Sequence, residues 1–357
     1  MENLQDYIGS IKKISEDDFK IYRDHWDSLV HPTGSLGDLE EIGIKTCAIL
    51  GELPSKPPKK ACLVMAADNG ITEEDVSSSP KILTWLLAEQ MIVGTTGVCA
   101  LAKDAGADMA VVDLGIEGSK DLPGLIRKKI SEGTKNFMVK DAMTLDDARQ
   151  AIMVGIEVAE DYIKNGYQVL GTGELGIGNT TTSAALIRAL TGACEDQVVG
   201  LGSGVTSQQL DNKLRVVRDC TRLRGTDPNS PIECLAKVGG YDIGAIAGVF
   251  LACGKNKVVG VIDGVISMAG ALLAYRLNPN VTSYLIASHQ PKEKASQLVL
   301  KELGIKAYLD LSMRLGEGSG CPFLFKLIDS SLYCMNHMTR FEDTDIRNTL
   351  VNIRDKK

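Results

Sequence analysis

The stretch YQVLGTGELGIGNTTTSAALIRAL, residues 167–190, runs from a short apolar segment through four glycines into a helical pattern. Residues 167–173 read as a buried strand and the residues from Thr181 onward as a helix. Gly171, Gly173, Gly176 and Gly178 allow positive φ and close backbone approach. Asn179, Thr180 and Thr181 then cap the helix, whose first amides and dipole favour an anion. The turn carries no lysine, so a phosphate monoester suits it better than a di- or triphosphate with Mg²⁺. A strand-to-helix turn with small residues chosen only for packing has the same appearance.

Working outward, the same strand-then-helix grammar recurs. Apolar runs ending in Gly, Asp or Ser occur at ACLVMAADNG (61–70), MAVVDLG (109–115), KNFMVKD (135–141), NKVVGVIDG (256–264) and VTSYLIASH (281–289). Each reads as a buried parallel strand. Between them LDDARQAIMVGIEVAEDYIKNG (145–166) has the helical period, with Ala151, Ile152, Ile156, Val158, Ala159 and Ile163 mostly on one side. This alternation predicts an α/β fold, a doubly wound, mostly parallel, Rossmann-like sheet. The ends of the chain are charged and helix-like without strand signals. The expected organisation is a large α/β domain over 45–321 and a small helical domain from 1–44 together with 322–357.

Composition narrows the function. Of the 357 residues, 39 are basic and 46 acidic, a net charge of −7, and no segment clusters Lys and Arg with aromatics, which argues against nucleic acid. No apolar run is read as membrane-spanning, and MENLQDYIGSIKKISEDDFK is acidic where a signal peptide is basic and then apolar, so a cytoplasmic protein is expected. Nine cysteines stand singly, with neither C-x-x-C nor a nearby His at ligand spacing, and read as reduced, buried thiols without a metal.

In an open α/β sheet, ligands bind beyond the carboxyl ends of the strands. Four loops there are candidates: AADNG (66–70), the glycine-rich turn, IDGVISMAG (262–270) and ASHQPKEK (287–294). A further stretch, DLSMRLGEGSGCPF (310–323), presents Glu317 between Gly316 and Gly318 on a flexible turn. Alone, such a glutamate reads equally as a solvated loop residue.

Taken together the motifs resemble the nicotinate-nucleotide:dimethylbenzimidazole phosphoribosyltransferase family. The matching segments are PTGSLGDLE (32–40), AADNG with SSSPKI (66–82), GTTGVCALAKDAGA (94–107), VVDLGIE (111–117), GELGIGNTTTSAAL (173–186), DNK (211–213), KVGGYDIGAIAGV (237–249), IDGVISMAGALLA (262–274) and MRLGEGSG (313–320). The resemblance implies transfer of phosphoribose from nicotinate mononucleotide to an aromatic acceptor during cobamide assembly, with no cofactor. Glu317 is then the base, flanked by Leu315 and Gly316, and Gly176, Gly178, Asn179, Thr180 and Thr181 hold the 5′-phosphate. Lys213 faces the donor's negative charge. Glu174 and Asp263, with Gly264, lie near the ribose or its developing positive charge. Ser288 and His289 border the nicotinate, and Ser79 is a further substrate-binding residue. Nicotinate leaves from a pyridinium and requires no acid, whereas the acceptor must lose a proton, so one base suffices.

The chain departs from the family pattern in places. Asn69 stands where better-known members have His, and Pro291 where they have Ser. Trp85 and Leu87 replace a small residue and a Gln, which implies a smaller, less polar acceptor pocket and admits phenol or p-cresol besides a benzimidazole. On the i, i+3, i+4 face of their helix the same two residues also read as ordinary core. The family forms dimers, so a homodimer or a heterodimer with a related chain is implied. An alternative function is that of a supporting paralogous subunit binding nucleotide without full catalysis.

Overall fold

In a computed structural model, residues 3–200, 202, 204–346 and 352 are described. Seven strands form one sheet: β1 Lys59–Ala67, β2 Asp108–Gly115, β3 Leu125–Arg127, β4 Tyr167–Leu175, β5 Val259–Ile262, β6 Leu285–His289 and β7 Ala307–Leu309. Their order is β3-β2-β1-β4-β5-β6-β7, and every pairing is parallel. The expected doubly wound α/β fold is therefore present. From β1 the chain builds outward through β2 to β3, then returns across the sheet to place β4 on the other side of β1. The crevice of such a sheet opens where the winding reverses, above β1 and β4.

The strands are mostly apolar because helices cover both faces, with buried polar residues such as Asp113, Thr172, Glu174 and His289 toward their carboxyl ends. All of β1 except Lys59 is buried. The predicted helix at 145–166 forms as Leu145–Lys164, started by a capping box in which Thr144 and Asp147 exchange side-chain and backbone hydrogen bonds. The run KNFMVKD is not a strand. Asn136 accepts from the backbone amides of Met138, Val139 and Lys140, through its side chain for the first and its carbonyl for the others, and so folds the segment into a turn. Phe137 plugs the core from that turn while Val139 stays exposed, the opposite of a buried strand. In its place the sheet gains β3 and β7, three-residue edge strands too short to register as a period.

One stretch does reach membrane-spanning length and apolarity, contrary to the sequence reading: Leu83–Asp104, with a mean hydropathy of 1.3. It folds as two helices, Leu83–Val93 and Gly97–Asp104, broken at Gly94, whose φ is 85°. Both helices pack on β2 at one face of the sheet.

From the terminal segments, helices Glu16–Asp27, Asp38–Leu50 and Cys321–His337 pack on one another, and Leu29 bridges to Arg340. Trp26, Ile42, Leu332 and Met335 belong to the same apolar cluster as the strand residues Leu63 and Val169. Of the helical segment expected to run to 357, residues 347–351 and 353–357 lie outside the described residues.

Candidate active site

Beyond the carboxyl ends of β4, β5 and β6 lies a cleft of about 240 Å³. The glycine-rich turn forms one wall, Gly264 to Ile266 the floor, His289, Pro291 and Glu293 a second wall, and Met313 to Glu317 a third. Ser79 and Leu87 close it from the side of the Leu83–Val93 helix.

The four glycines of the opening stretch divide their work. Only Gly178 has positive φ, 91°, as the cap before the helix Asn179–Thr191. Gly173 instead permits close approach: a β-carbon there would stand 2.3 Å from the carbonyl oxygen of Glu317. Strand β4 is thus bare where the Glu317 turn rests on it. That turn has three consecutive residues in the left-handed region, Gly316 (φ 77°), Glu317 (63°) and Gly318 (88°). For a glutamate this conformation costs about 1 kcal/mol or more. Two buried carboxylates hold it. Glu174 Oε1 accepts from Glu317 N at 3.2 Å, and Asp263 accepts from Gly318 N at 2.9 Å and Gly320 N at 2.7 Å.

Burial pushes the Glu317 carboxyl up to about 7, and the nearby Glu174 carboxylate pushes in the same direction. Glu174 is itself raised by burial, against the hydrogen bonds it accepts from Asn179 and Glu317. Asp263 rises to about 7 through burial, opposed by the Gly320 amide. A half-buried carboxyl raised toward neutrality at the wall of a cleft has the chemistry a general base needs.

At the other end of the cleft, Thr180 and the start of the Asn179 helix face Gly202. Beneath them Lys213, buried, donates to Thr180 Oγ1 at 3.0 Å. Burial lowers its amine, an effect Glu293 partly reverses. Helix N-terminus, hydroxyl and ammonium are groups that favour an anion. Across the cleft, burial lowers the His289 imidazole below its ordinary value. Ser288 Oγ lies 2.8 Å from Ile262 O and 2.9 Å from His289 Nδ1, which ties the imidazole to the end of β5. Among the described residues no group of three or more His, Cys, Asp or Glu is arranged to hold a metal.

A family model described as phosphoribosyltransferase matches residues 11–346. The chain is 43% identical to the nicotinate-nucleotide–dimethylbenzimidazole phosphoribosyltransferase of Clostridium perfringens, covering 99% of this chain and 98% of that one. It is also 43% identical to the Clostridium tetani enzyme of the same name, over 100% and 99% of the two chains. The chain belongs to this phosphoribosyltransferase family. Among solved structures, CobT from Thermus thermophilus superposes with a TM-score of 0.88 at 34% identity, covering 93% of this chain and 99% of that one.

Within this phosphoribosyltransferase the residues singled out from sequence fall into three groups. Glu317, Glu174, Gly176, Gly178, Asn179, Thr180, Gly264, Ser79, Leu87, Leu315, Gly316 and His289 line the cleft. Lys213, Thr181 and Ser288 are buried directly behind it. Two expectations need correction. Asp263 is buried and does not itself line the cleft; each of its oxygens accepts from a backbone amide of the Glu317 turn, so this carboxylate holds the turn. Trp85 is packed with Cys62, Val64 and Met91 against the sheet and does not line the cleft. Residues two apart on a helix point about 200° apart, and Leu87, packed only against the edge of that cluster, lines the cleft with Leu83, four residues before it. Asn69 is fully buried, where Thr182 Oγ1 donates to its Oδ1 at 2.9 Å, a structural post beneath the site.

Two residues of the site went unremarked in the sequence. Glu293 lines the cleft and accepts from Gly202 N at 2.9 Å. Asp242, fully buried, accepts from the Asn179 side chain at 3.2 Å, and burial, then Glu174, pushes it up to about 7. Its signal was an acid inside the otherwise apolar run VGGYDIGAIAGVF (238–250).

Proposed function

We propose that this phosphoribosyltransferase moves the phosphoribosyl group of nicotinate mononucleotide to an aromatic acceptor, giving the α-riboside 5′-phosphate used in cobamide nucleotide-loop assembly and releasing nicotinate. The names of the relatives support both substrates. In this reading the 5′-phosphate sits at the start of the Asn179 helix with Thr180, backed by Lys213. The acceptor rests against Leu83 and Leu87, with Glu317 at its ring N–H or O–H. The acceptor's nitrogen or oxygen attacks the anomeric carbon as the bond to the pyridinium nitrogen breaks. The acceptor proton passes to Glu317, and nicotinate leaves as a neutral pyridine ring with its carboxylate. Glu174, buried behind the turn, supplies negative charge near the sugar as it becomes cationic.

The observation that carries the reading is the Glu317 turn: a carboxyl raised to about 7, on a strained backbone, at the wall of the cleft. At neutral pH it is a stronger base than an ordinary carboxylate, which suits an acceptor such as a benzimidazole or a phenol. Ionising a phenol with a pKa near 10 at pH 7 costs roughly 4 kcal/mol, so base assistance matters most there. The wall of Leu83 and Leu87 is apolar and admits either acceptor class.

The test is a competition assay with nicotinate mononucleotide and equal amounts of dimethylbenzimidazole, phenol and p-cresol, with products identified by mass. A riboside phosphate of at least one acceptor, lost in Glu317→Gln, is the expected result. Product formation that survives Glu317→Gln overturns the assignment of the base. Transfer only after a related chain is added places this chain as a supporting subunit.

A further inference from the structure

Asp242 begins the helix Tyr241–Asn256 from within an apolar run, and its side chain is fully buried. Its Oδ1 accepts from Ile243 N at 3.0 Å and its Oδ2 from Asn179 Nδ2 at 3.2 Å. The same Nδ2 donates to Glu174 Oε2, and Glu174 Oε1 takes the Glu317 amide. All four oxygens of the two carboxylates therefore meet an N–H group.

The NH₂ of Asn179 has two hydrogens, and each carboxylate receives one. When both carboxylates are ionised, reversing this amide would set its carbonyl oxygen against both, acceptor against acceptor, so one orientation is enforced in that state. The consequence lies at the other end of the group. Among the described residues Asn179 Oδ1 accepts no hydrogen bond, it is not one of the fully buried unpartnered oxygens, and Asn179 lines the cleft. It sits one residue before Thr180 of the anion site and in contact with Glu174 of the reacting end. A sugar ring spans that interval in a nucleotide.

Resting on the nucleotide reading above, we infer that Asp242 is a positioning residue: it holds the Asn179 NH₂ inward beside Glu174, which fixes Asn179 Oδ1 toward the cleft as acceptor for a ribose hydroxyl of the donor. Glu174 alone leaves one hydrogen of the amide without a partner and the reversed orientation less opposed. In Asp242→Asn the new side chain can offer its own NH₂ to Asn179 Oδ1, and the orientation is no longer enforced.

The experiment measures binding and kcat/KM of nicotinate mononucleotide and its 2′-deoxy and 3′-deoxy analogues with the wild-type chain, Asp242→Asn and Asn179→Ala. A buried hydrogen bond to a substrate hydroxyl discriminates by roughly 10- to 100-fold. The wild type is expected to prefer the full ribose over one deoxy analogue by about that factor, and the preference to shrink to roughly threefold or less in both variants. A purely structural Asp242 weakens every nucleotide alike, so an unchanged ratio in folded Asp242→Asn overturns the inference. If that variant does not fold, Asn179→Ala decides: full discrimination in its folded form is equally fatal. A wild type that binds the donor yet ignores the missing hydroxyl refutes the inference alone. One that binds none of the three removes the nucleotide reading with it.

Discussion

Gly173→Ala isolates the contact on which the site is built. Gly173 lies in β4, paired with Val64 of β1, and its φ is not in the left-handed region, so alanine suits the strand backbone. The added methyl, however, would lie 2.3 Å from Glu317 O, 2.7 Å from Glu317 C and 3.0 Å from Gly318 N. All three are backbone atoms, so no rotamer change relieves the clash. Restoring an ordinary contact of about 3.5 Å requires the turn to retreat by about 1 Å. That displacement is carried directly to the Glu317 carboxyl, because the turn is short and its amides are tied to Glu174 and Asp263. Misplacing a catalytic group by 1 Å costs about 100-fold, equivalent to about 2.7 kcal/mol of barrier. Steady-state kinetics with nicotinate mononucleotide should show most of the loss in kcat, since the anion site is untouched. Gly9→Ala is the control. It ends the helix Leu4–Gly9, does not line the cleft and meets no atom within 4 Å, so activity within about threefold of wild type is expected. If Gly173→Ala folds and retains activity within about threefold of wild type, Glu317 does not depend on its seat on β4.

Three further outcomes follow from the same site. With Glu317 titrating near 7, its ionised form grows as pH rises, so kcat/KM should climb about tenfold per unit below that value and level off above it. Glu317→Gln should lose about 100-fold or more and that ascending limb together, and an unchanged pH profile would remove Glu317 as the base. Lys213→Met removes the ammonium behind Thr180 and should raise KM for the nucleotide about tenfold or more with a smaller change in kcat; a selective fall in kcat would place Lys213 at the chemistry instead. Asp242 is raised from 3.8 to about 7, so the folded chain holds a proton there that the unfolded chain releases between those values. Its contribution to stability is therefore present at low pH and lost as pH rises through about 7. Denaturant unfolding at pH 5 and pH 7.5 should show wild type losing more stability across that interval than Asp242→Asn, and equal losses would contradict the buried, raised carboxyl.

The alternation of apolar runs and helical periods determined the doubly wound sheet, because strands covered on both faces read as near-continuous apolar runs. Short-range chemistry was equally legible: the glycine turn before Asn179 and the glycines beside Glu317 announce backbone that side chains would obstruct. What sequence spacing left open was which groups meet. Asp263 sits at the end of β5 and reads as a ligand contact until the Glu317 turn, more than 50 residues later, is seen to occupy both of its oxygens. Trp85 and Leu87 look like one pocket feature, but the rotation of a helix buries Trp85 in the core and leaves Leu87, at the edge of that core, to reach the cleft. Asp242 and Asn179 are 63 positions apart and share a hydrogen bond only because the sheet brings two helix starts over the same crevice. Sequence period fixes which way a residue faces within its own element, and that was enough to establish the fold. The partners of a buried carboxylate depend on how distant elements converge, and only the tertiary structure decided those.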